Sequence, residues 1–262
     1  MSQTASISGL IAGAQTDGIL SHAAVSALNI NDVGAQIAAA MGVPAMETQA
    51  TEVVLVNLLI DDSGSIRMVA GNAEAIREGH NTMLGALKGS KQGDGVQVHA
   101  RYLNGTILYP YVPLSGAIEM TQRNYNPNGG TPLFDQSLVM LGTVVSKLMD
   151  FQNNGIPART VTVFATDGAD MGSNASAADV AKVVRDLLKQ ESHIVCGLGV
   201  SDGQTDFDKV FEEMGIPKEW RLIVGNNPSE IRKAFAMVSK SAVRASQNAA
   251  SFSKTAAGGF SA

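Results

Sequence analysis

The chain has one cysteine, Cys196, among 262 residues, so no disulfide framework within it can staple the fold. Charge is also scarce. Asp, Glu, Lys and Arg make up 16% of the residues, against about 25% in an average soluble chain. No Lys or Arg precedes Arg67. No apolar run approaches the ~18 residues of a membrane span. The short apolar stretch 9–14 ends at Gln15 with no basic residue before it, unlike a secretory signal. The net charge is -5, without the basic excess of a nucleic-acid binder. These absences lead us to expect a soluble cytoplasmic protein with neither a membrane nor a nucleic acid as partner. Apolar residues, at 45%, exclude disorder of the whole chain. The length suits one large domain, or one domain with an appendage.

Residues 1–50 are rich in Ala, Ser, Gly and Ile. Two short helices are expected there, near 19–28 and 33–41, the second closed by Gly42 and Pro44. Two such helices are too small to hold a core, so they are expected to pack on the rest of the chain or on a partner. The pattern then changes. Val53 to Ile60 is an almost unbroken apolar run, which reads as a central strand buried on both faces. Ile66, Val69, Ala73, Ile76, His80, Met83, Leu84 and Leu87 recur at helical steps. Asn104-Gly105 between two strand-like runs marks a hairpin. Further on, the apolar pattern alternates between helix and strand: helix 133–148, strand 161–165, helix 176–190, strand 193–200, helix 207–214, strand 221–224 and helix 229–245. This order predicts an α/β fold, a Rossmann-like, mostly parallel sheet with one antiparallel edge strand and helices on both faces. The expected organisation is a helical extension over 1–50, an α/β domain over 51–246 and a flexible Ser/Ala/Gly-rich tail over 247–262.

In open α/β sheets, ligands bind at the carboxyl ends of strands. Three segments there carry oxygen-bearing side chains: Asp61-x-Ser63-x-Ser65 after the first strand, Thr131 before a helix, and Asp167 after a later strand. Carboxylates and hydroxyls without His or Cys suit a hard cation such as Mg²⁺ or Mn²⁺. Taken singly, Ser65 and Thr131 are ordinary helix caps and Asp167 before Gly168 is an ordinary turn residue. Thr131 reads as the cap and Pro132 as the first helical residue. His22, His99 and His193 lack metal-ligand spacing, His80 falls on an apolar helical face, and Cys196 lies in a buried strand. Asp62 reads as solvated and turned away from Asp61, and Asp135 and Asp170 as surface residues.

Together, Asp61-Asp62-Ser63-Gly64-Ser65, Gly129-Gly130-Thr131-Pro132-Leu133 and Ala165-Thr166-Asp167-Gly168 resemble the metal-ion-dependent adhesion site of von Willebrand factor type A (vWA) domains. The resemblance covers about residues 52–245, not the first 50. It implies that Ser63, Ser65 and Thr131 supply hydroxyls to a divalent metal, Mg²⁺ or in its place Mn²⁺ or Ca²⁺. Asp61 and Asp167 would act mostly through water, and a partner's carboxylate would complete the coordination. Tyr125, Asn126 and Asn128 border Thr131 and are expected to form the partner-binding rim. The function implied is a non-enzymatic, metal-dependent protein-binding module of a bacterial intracellular type, working with an AAA+ ATPase or in a stress or tellurite-resistance system. Two other readings remain: an assembly protein that oligomerises through 1–50, and a metal-dependent phosphohydrolase with Asp61 as nucleophile. The second lacks a carboxylate two residues on, where Ser63 stands.

Overall fold

The structure is a computed structural model, and it describes residues 6–90, 95–247 and 259–260. Six strands form one sheet: β1 (Val53–Ile60), β2 (Val96–Tyr102), β3 (Ile107–Pro113), β4 (Ala158–Thr166), β5 (His193–Val200) and β6 (Arg221–Val224). Their spatial order is β3-β2-β1-β4-β5-β6. Only β2 and β3 pair antiparallel, joined by the Asn104-Gly105 turn with Gly105 at φ +88°. The expected α/β architecture with its antiparallel edge is therefore the one observed. All eight residues of β1 are buried, as a strand in the middle of a helix-covered sheet requires.

Eight helices accompany the sheet among the described residues: α1 (Ile7–Thr16), α2 (His22–Leu28), α3 (Ile30–Ala40), α4 (Asn72–Lys88), α5 (Leu133–Asn153), α6 (Ala177–Leu188), α7 (Phe207–Glu213) and α8 (Pro228–Gln247). None of the helices is long and apolar enough to cross a membrane. The helix expected from Ile66 onward starts later. Gly64–Met68 is a 3₁₀ turn, and the chain breaks at Gly71, φ +89°, before α4 begins.

Among the described residues of 1–50 there are three α-helices rather than the two expected. α1 and α3 pack on α5, and α2 packs on α6. Consequently 16 of the 21 residues of α5 are buried, the state of a helix that is apolar nearly all round. The approach of α3 is close at Gly142, where a Cβ would stand 2.6 Å from Ile37 Cδ1. The apolar residues Leu10, Ile11, Leu20, Leu28 and Ile37 are thereby buried within the chain itself.

Polar contacts fix the same seam. Ser21 caps α2, and its N–H donates to Asp186 Oδ2 at 2.7 Å. The buried Lys147 ammonium pairs with Asp150 at 3.0 Å and donates to the Val43 carbonyl. Asp150 also accepts from Ala45 N at 3.0 Å. Val43 N donates to Tyr111 O on the β3 edge at 3.0 Å. Of the tail expected to be flexible, 248–258 and 261–262 lie outside the described residues, and Phe260 is described. It is buried, stands edge-on to Trp220 at 5.5 Å, and its N–H donates to Glu219 O at 3.0 Å.

Gly42 is the tightest point of the seam. Its φ is +58°, and a Cβ there would lie 1.9 Å from Tyr111 O, a backbone atom. Gly42→Ala is expected to cost about 3 kcal/mol in chemical denaturation, since strain and a clash combine. Gly18 has φ +73° but open space, and Gly18→Ala is expected to cost only about 1 kcal/mol. Equal losses at the two positions would contradict the described seam.

Burial pushes the Asp186 carboxyl up, but the bonds from Lys189 and Ser21 outweigh it and hold its pKa below the ordinary value. A depressed carboxyl stabilises the fold above its unfolded pKa of about 3.9, and that contribution is lost as pH falls through the folded value. Asp186→Asn is therefore expected to lower stability by about 1 kcal/mol at pH 7, with the gap to wild type closing below about pH 4 in thermal melts against pH.

Candidate metal centre

The five oxygen-bearing residues lie on three loops at the carboxyl end of the sheet. β1 and β4 are parallel neighbours in register, Ile60 beside Ala165, so Asp61 and Asp167 leave the sheet side by side. A parallel bridge between Ser63 and Gly129 and the 3.1 Å bond from Gly64 N to Gly129 O bring in the loop that carries Thr131. Asn128 N and Gly129 N both donate to Asp62 O at 2.8 Å.

At the centre, Asp167 Oδ1 accepts from Ser65 Oγ at 2.8 Å and Ser63 Oγ at 3.1 Å. The two hydroxyl oxygens are themselves 2.8 Å apart. Asp61 stands behind them. Its Oδ1 accepts from Ser63 N at 2.7 Å, and its Oδ2 accepts from Thr166 Oγ1 at 2.7 Å and Asp167 N at 3.2 Å. Burial first, then the Asp61 charge, pushes the Asp167 carboxyl up to about 6, against the pull of the two serine hydroxyls. A positive ion among these oxygens would relieve that repulsion.

Thr131 is buried and does not cap α5. The cap position is Pro132, with no side-chain bond to the helix. The first N–H of α5, Leu133 N, donates to the Thr131 carbonyl at 2.8 Å, and the next two go to another loop: Phe134 N to Asp170 Oδ1 and Asp135 N to Ser173 Oγ, both at 3.0 Å. The Thr131 hydroxyl makes no hydrogen bond among the described residues and lines, with Ser65 and Asp167, an open groove of about 660 Å³. Ser65 does not cap a helix either, since it lies inside the 3₁₀ turn. The donor set thus fits a hard divalent cation: hydroxyl and carboxylate oxygens, converging, with one hydroxyl left free. Among the described residues there is no cluster of three or more His, Cys, Asp or Glu that could hold a metal. Any ion here would therefore rely on the hydroxyls as much as on the two aspartates.

The remaining expectations divide. Tyr125 is not part of an accessible rim. It is 1% exposed, its hydroxyl donates to the Asp61 carbonyl at 2.7 Å, and its ring lies 5.4 Å from that of Tyr102. It supports the loop from beneath. Asn126 and Asn128 are exposed, and Asn128 Oδ1 accepts from Arg67 at 2.6 Å. Asp62 does turn from Asp61, but it is buried rather than solvated. Its Oδ1 accepts from Asn104 N at 3.0 Å, and burial raises its pKa to about 6. Asp135 and Asp170 are not idle surface acids. Asp170 takes Phe134 N at 3.0 Å and Asp135 takes Ala175 N at 2.8 Å, which tie the start of α5 to the loop after β4. His80 and His99 are packed core residues, lowered by burial to about 4 and about 3. Cys196 is buried, and burial raises its thiol well above the ordinary range. Thr166, whose hydroxyl steers Asp61, is the contributor that the motif positions do not mark. Its only signal is a hydroxyl residue directly before Asp167.

Neither a family model nor a curated protein matches the sequence. Solved structures do match in fold. Proximal thread matrix protein 1 from the mussel byssus aligns with TM-score 0.52 at 16% identity, over 71% of this chain and 47% of that one. The pilus adhesin SpaC from Lactobacillus rhamnosus GG, in an open conformation, aligns with TM-score 0.51 at 15% identity, over 75% of this chain and 31% of that one. The chain thus spans less than half the length of each. At such identities the likeness is one of fold, and the sheet order and helix placement are those of the vWA, Rossmann-like α/β fold.

Proposed function

We propose that the chain is a metal-dependent protein-binding module, in which a divalent ion among Asp61, Ser63, Ser65, Thr131 and Asp167 captures an acidic side chain of a protein partner. The observation that carries this reading is the meeting of the Ser63, Ser65 and Asp167 oxygens within 3.1 Å of one another, beside the free Thr131 hydroxyl in an open groove. Mg²⁺ is the preferred ion, because hydroxyl and carboxylate oxygens are its usual partners and it keeps waters that a partner can displace. Mn²⁺ and Ca²⁺ accept the same donors.

Charge explains why the partner should offer a carboxylate. Two aspartates only just neutralise a divalent ion, and Asp61 is already engaged by three donors. The ion stays electrophilic toward an incoming acid. Unit charges ~4 Å apart interact by about 4 kcal/mol at an effective dielectric near 20, and desolvation offsets part of that gain. Exposed Met68 and Met171 border the loops that carry Ser65 and Thr131, so apolar contact can accompany the ionic one.

The proposal is of a binding protein rather than an enzyme. An Asp61 nucleophile would have to give up hydrogen bonds on both of its oxygens, which argues against phosphoryl transfer. The assembly reading rested on an uncovered apolar extension, and α1–α3 bury their apolar residues on α5 and α6. A bacterial-type cytoplasmic setting with an AAA+ ATPase as partner is part of the same proposal and rests on the sequence resemblance alone.

Calorimetric titration with MgCl₂ or MnCl₂ is expected to show one site, and Asp61→Ala or Asp167→Ala to abolish it while the far-UV circular dichroism stays unchanged. Undiminished metal affinity in both variants would refute the site. In a pull-down from source lysate with Mg²⁺ against EDTA, the partners read by the rim are those lost with EDTA.

A further inference from the structure

The rim around the metal position is not electrically uniform. One side is the open groove lined by Ser65, Thr131 and Asp167, and its other charged lining residues are Asp202, Asp206, Lys209 and Glu213. The Lys209 ammonium stands 3.9 Å from Glu213, so the groove beyond the ion is net acidic. A second acid of a partner would be repelled there.

Arginine stands outside that groove. Arg67 lies two residues past Ser65, is exposed, and is the only charged residue of 63–73. Its Nη2 donates to Asn128 Oδ1 at 2.6 Å. Asn128 lies three residues before Thr131, and its N–H donates to Asp62 O at 2.8 Å. The Arg67 side chain thus reaches from the turn that holds Ser65 to the loop that holds Thr131. Neither Arg67 nor Asn128 lines the groove. The bond to Asn128 leaves most of the guanidinium donors unused, and its acceptor is a neutral amide. Arg67 has no ion pair among the described residues. The same loop carries the exposed Arg123, and Arg77 Nη1 donates to its Tyr125 carbonyl at 3.4 Å.

We infer that Arg67 reads a second carboxylate, so that the partner segment presents a pair of acids, one for the ion and one for the guanidinium. The inference rests on the metal reading above. Asp61 and Asp167 offset the charge of a divalent ion, so the uncompensated positive charge at the ligand loops is that of Arg67. Its planar fork can take a carboxylate with two N–H groups while another stays on Asn128. The Asn128 bond holds the long side chain in place before the partner arrives, which lowers the ordering cost of binding. Asn128 is then a rim residue that acts by positioning Arg67.

The test is calorimetric titration of the full chain, saturated with Mg²⁺ at low ionic strength. The probes are blocked glycine peptides carrying either one aspartate or two aspartates at varied spacing. The best two-acid peptide is expected to bind about sixfold tighter than the one-acid peptide, about twofold from having two acids to offer and about threefold from an exposed ion pair. In Arg67→Gln, at an exposed position, the ratio is expected to fall to the statistical part alone. Arg185→Gln removes the same charge from the last turn of α6, at the end of that helix far from the rim, and is expected to keep the full ratio. The Arg67 Nε–H resonance, identified by its absence in Arg67→Gln, is expected to shift with the two-acid peptide and not with the one-acid peptide. A purely statistical ratio in the wild type, a full ratio in Arg67→Gln, or its loss in Arg185→Gln as well would overturn the inference and leave the metal reading standing. If no peptide binds more tightly with Mg²⁺ than with EDTA, both fall.

Discussion

A carboxylate at the end of a buried strand has to be hydrogen-bonded or neutralised, and Asp61 is met by donors from three residues. Ser63 N belongs to its own loop, while Thr166 Oγ1 and Asp167 N belong to the neighbouring strand's loop. The carboxylate thus joins the ends of β1 and β4. It fixes the direction in which Ser63 and Asp167 leave the sheet. The loop bearing Thr131 is then attached through main-chain bonds to Asp62 O and through the Ser63–Gly129 bridge. Because those links are backbone, the position of Thr131 does not depend on its own side chain, and its hydroxyl is left free.

The same economy explains Asp62 and Tyr125. Asp62 accepts from Asn104 N at the hairpin between β2 and β3, and the Tyr125 hydroxyl donates to the Asp61 carbonyl. Each ties the rim to the structure beside or beneath it. Both are buried next to Asp61, and burial first, then the charges of Asp61, Asp62 and Asp167 and the Tyr102 phenol, hold the phenol pKa of Tyr125 well above its ordinary value. A neutral phenol is the useful state there, since only the O–H form donates to the carbonyl.

Much of this was legible in the residues because its signals are local. The apolar run Val53 to Ile60 became a fully buried strand, and Asn104-Gly105 became the hairpin turn. The five oxygen-bearing positions came together because each sits directly after a strand or before a helix. What escaped depends on distant contacts. α1 contains Gly9 and Gly13 and has no charge in its first or last turn, so its local signal is weak. Leu10, Ile11 and Ala14 are buried because α5 is there to receive the helix. Tyr125 sits in a polar stretch that reads as surface, and it is buried through distant contacts, its bond 64 residues back to Asp61 and its ring against Tyr102. Thr131 before Pro132 has the form of a helix cap, but Asp170 and Ser173 supply those acceptors from another loop.

The N-terminal segment also reaches two buried cations of the sheet and its covering helix. Lys147 has a side chain with no exposure, and burial lowers its pKa against the pull of Asp150. Its second acceptor is the Val43 carbonyl, which belongs to the segment leading out of α3. Arg101 is fully buried on the sheet, and one of its acceptors is Gln36 on α3. A buried charge that loses its partners costs several kcal/mol, more than most single contacts in a fold whose net stability is typically about 5–15 kcal/mol. α1 and α3 pack along α5, and α3 with the segment after it supplies acceptors to both buried cations. The described part of the charge-poor start of the chain thus lays Leu10, Ile11, Leu20, Leu28 and Ile37 into the core, while an outer face that includes Ser8, His22, Asp32 and Glu47 stays exposed.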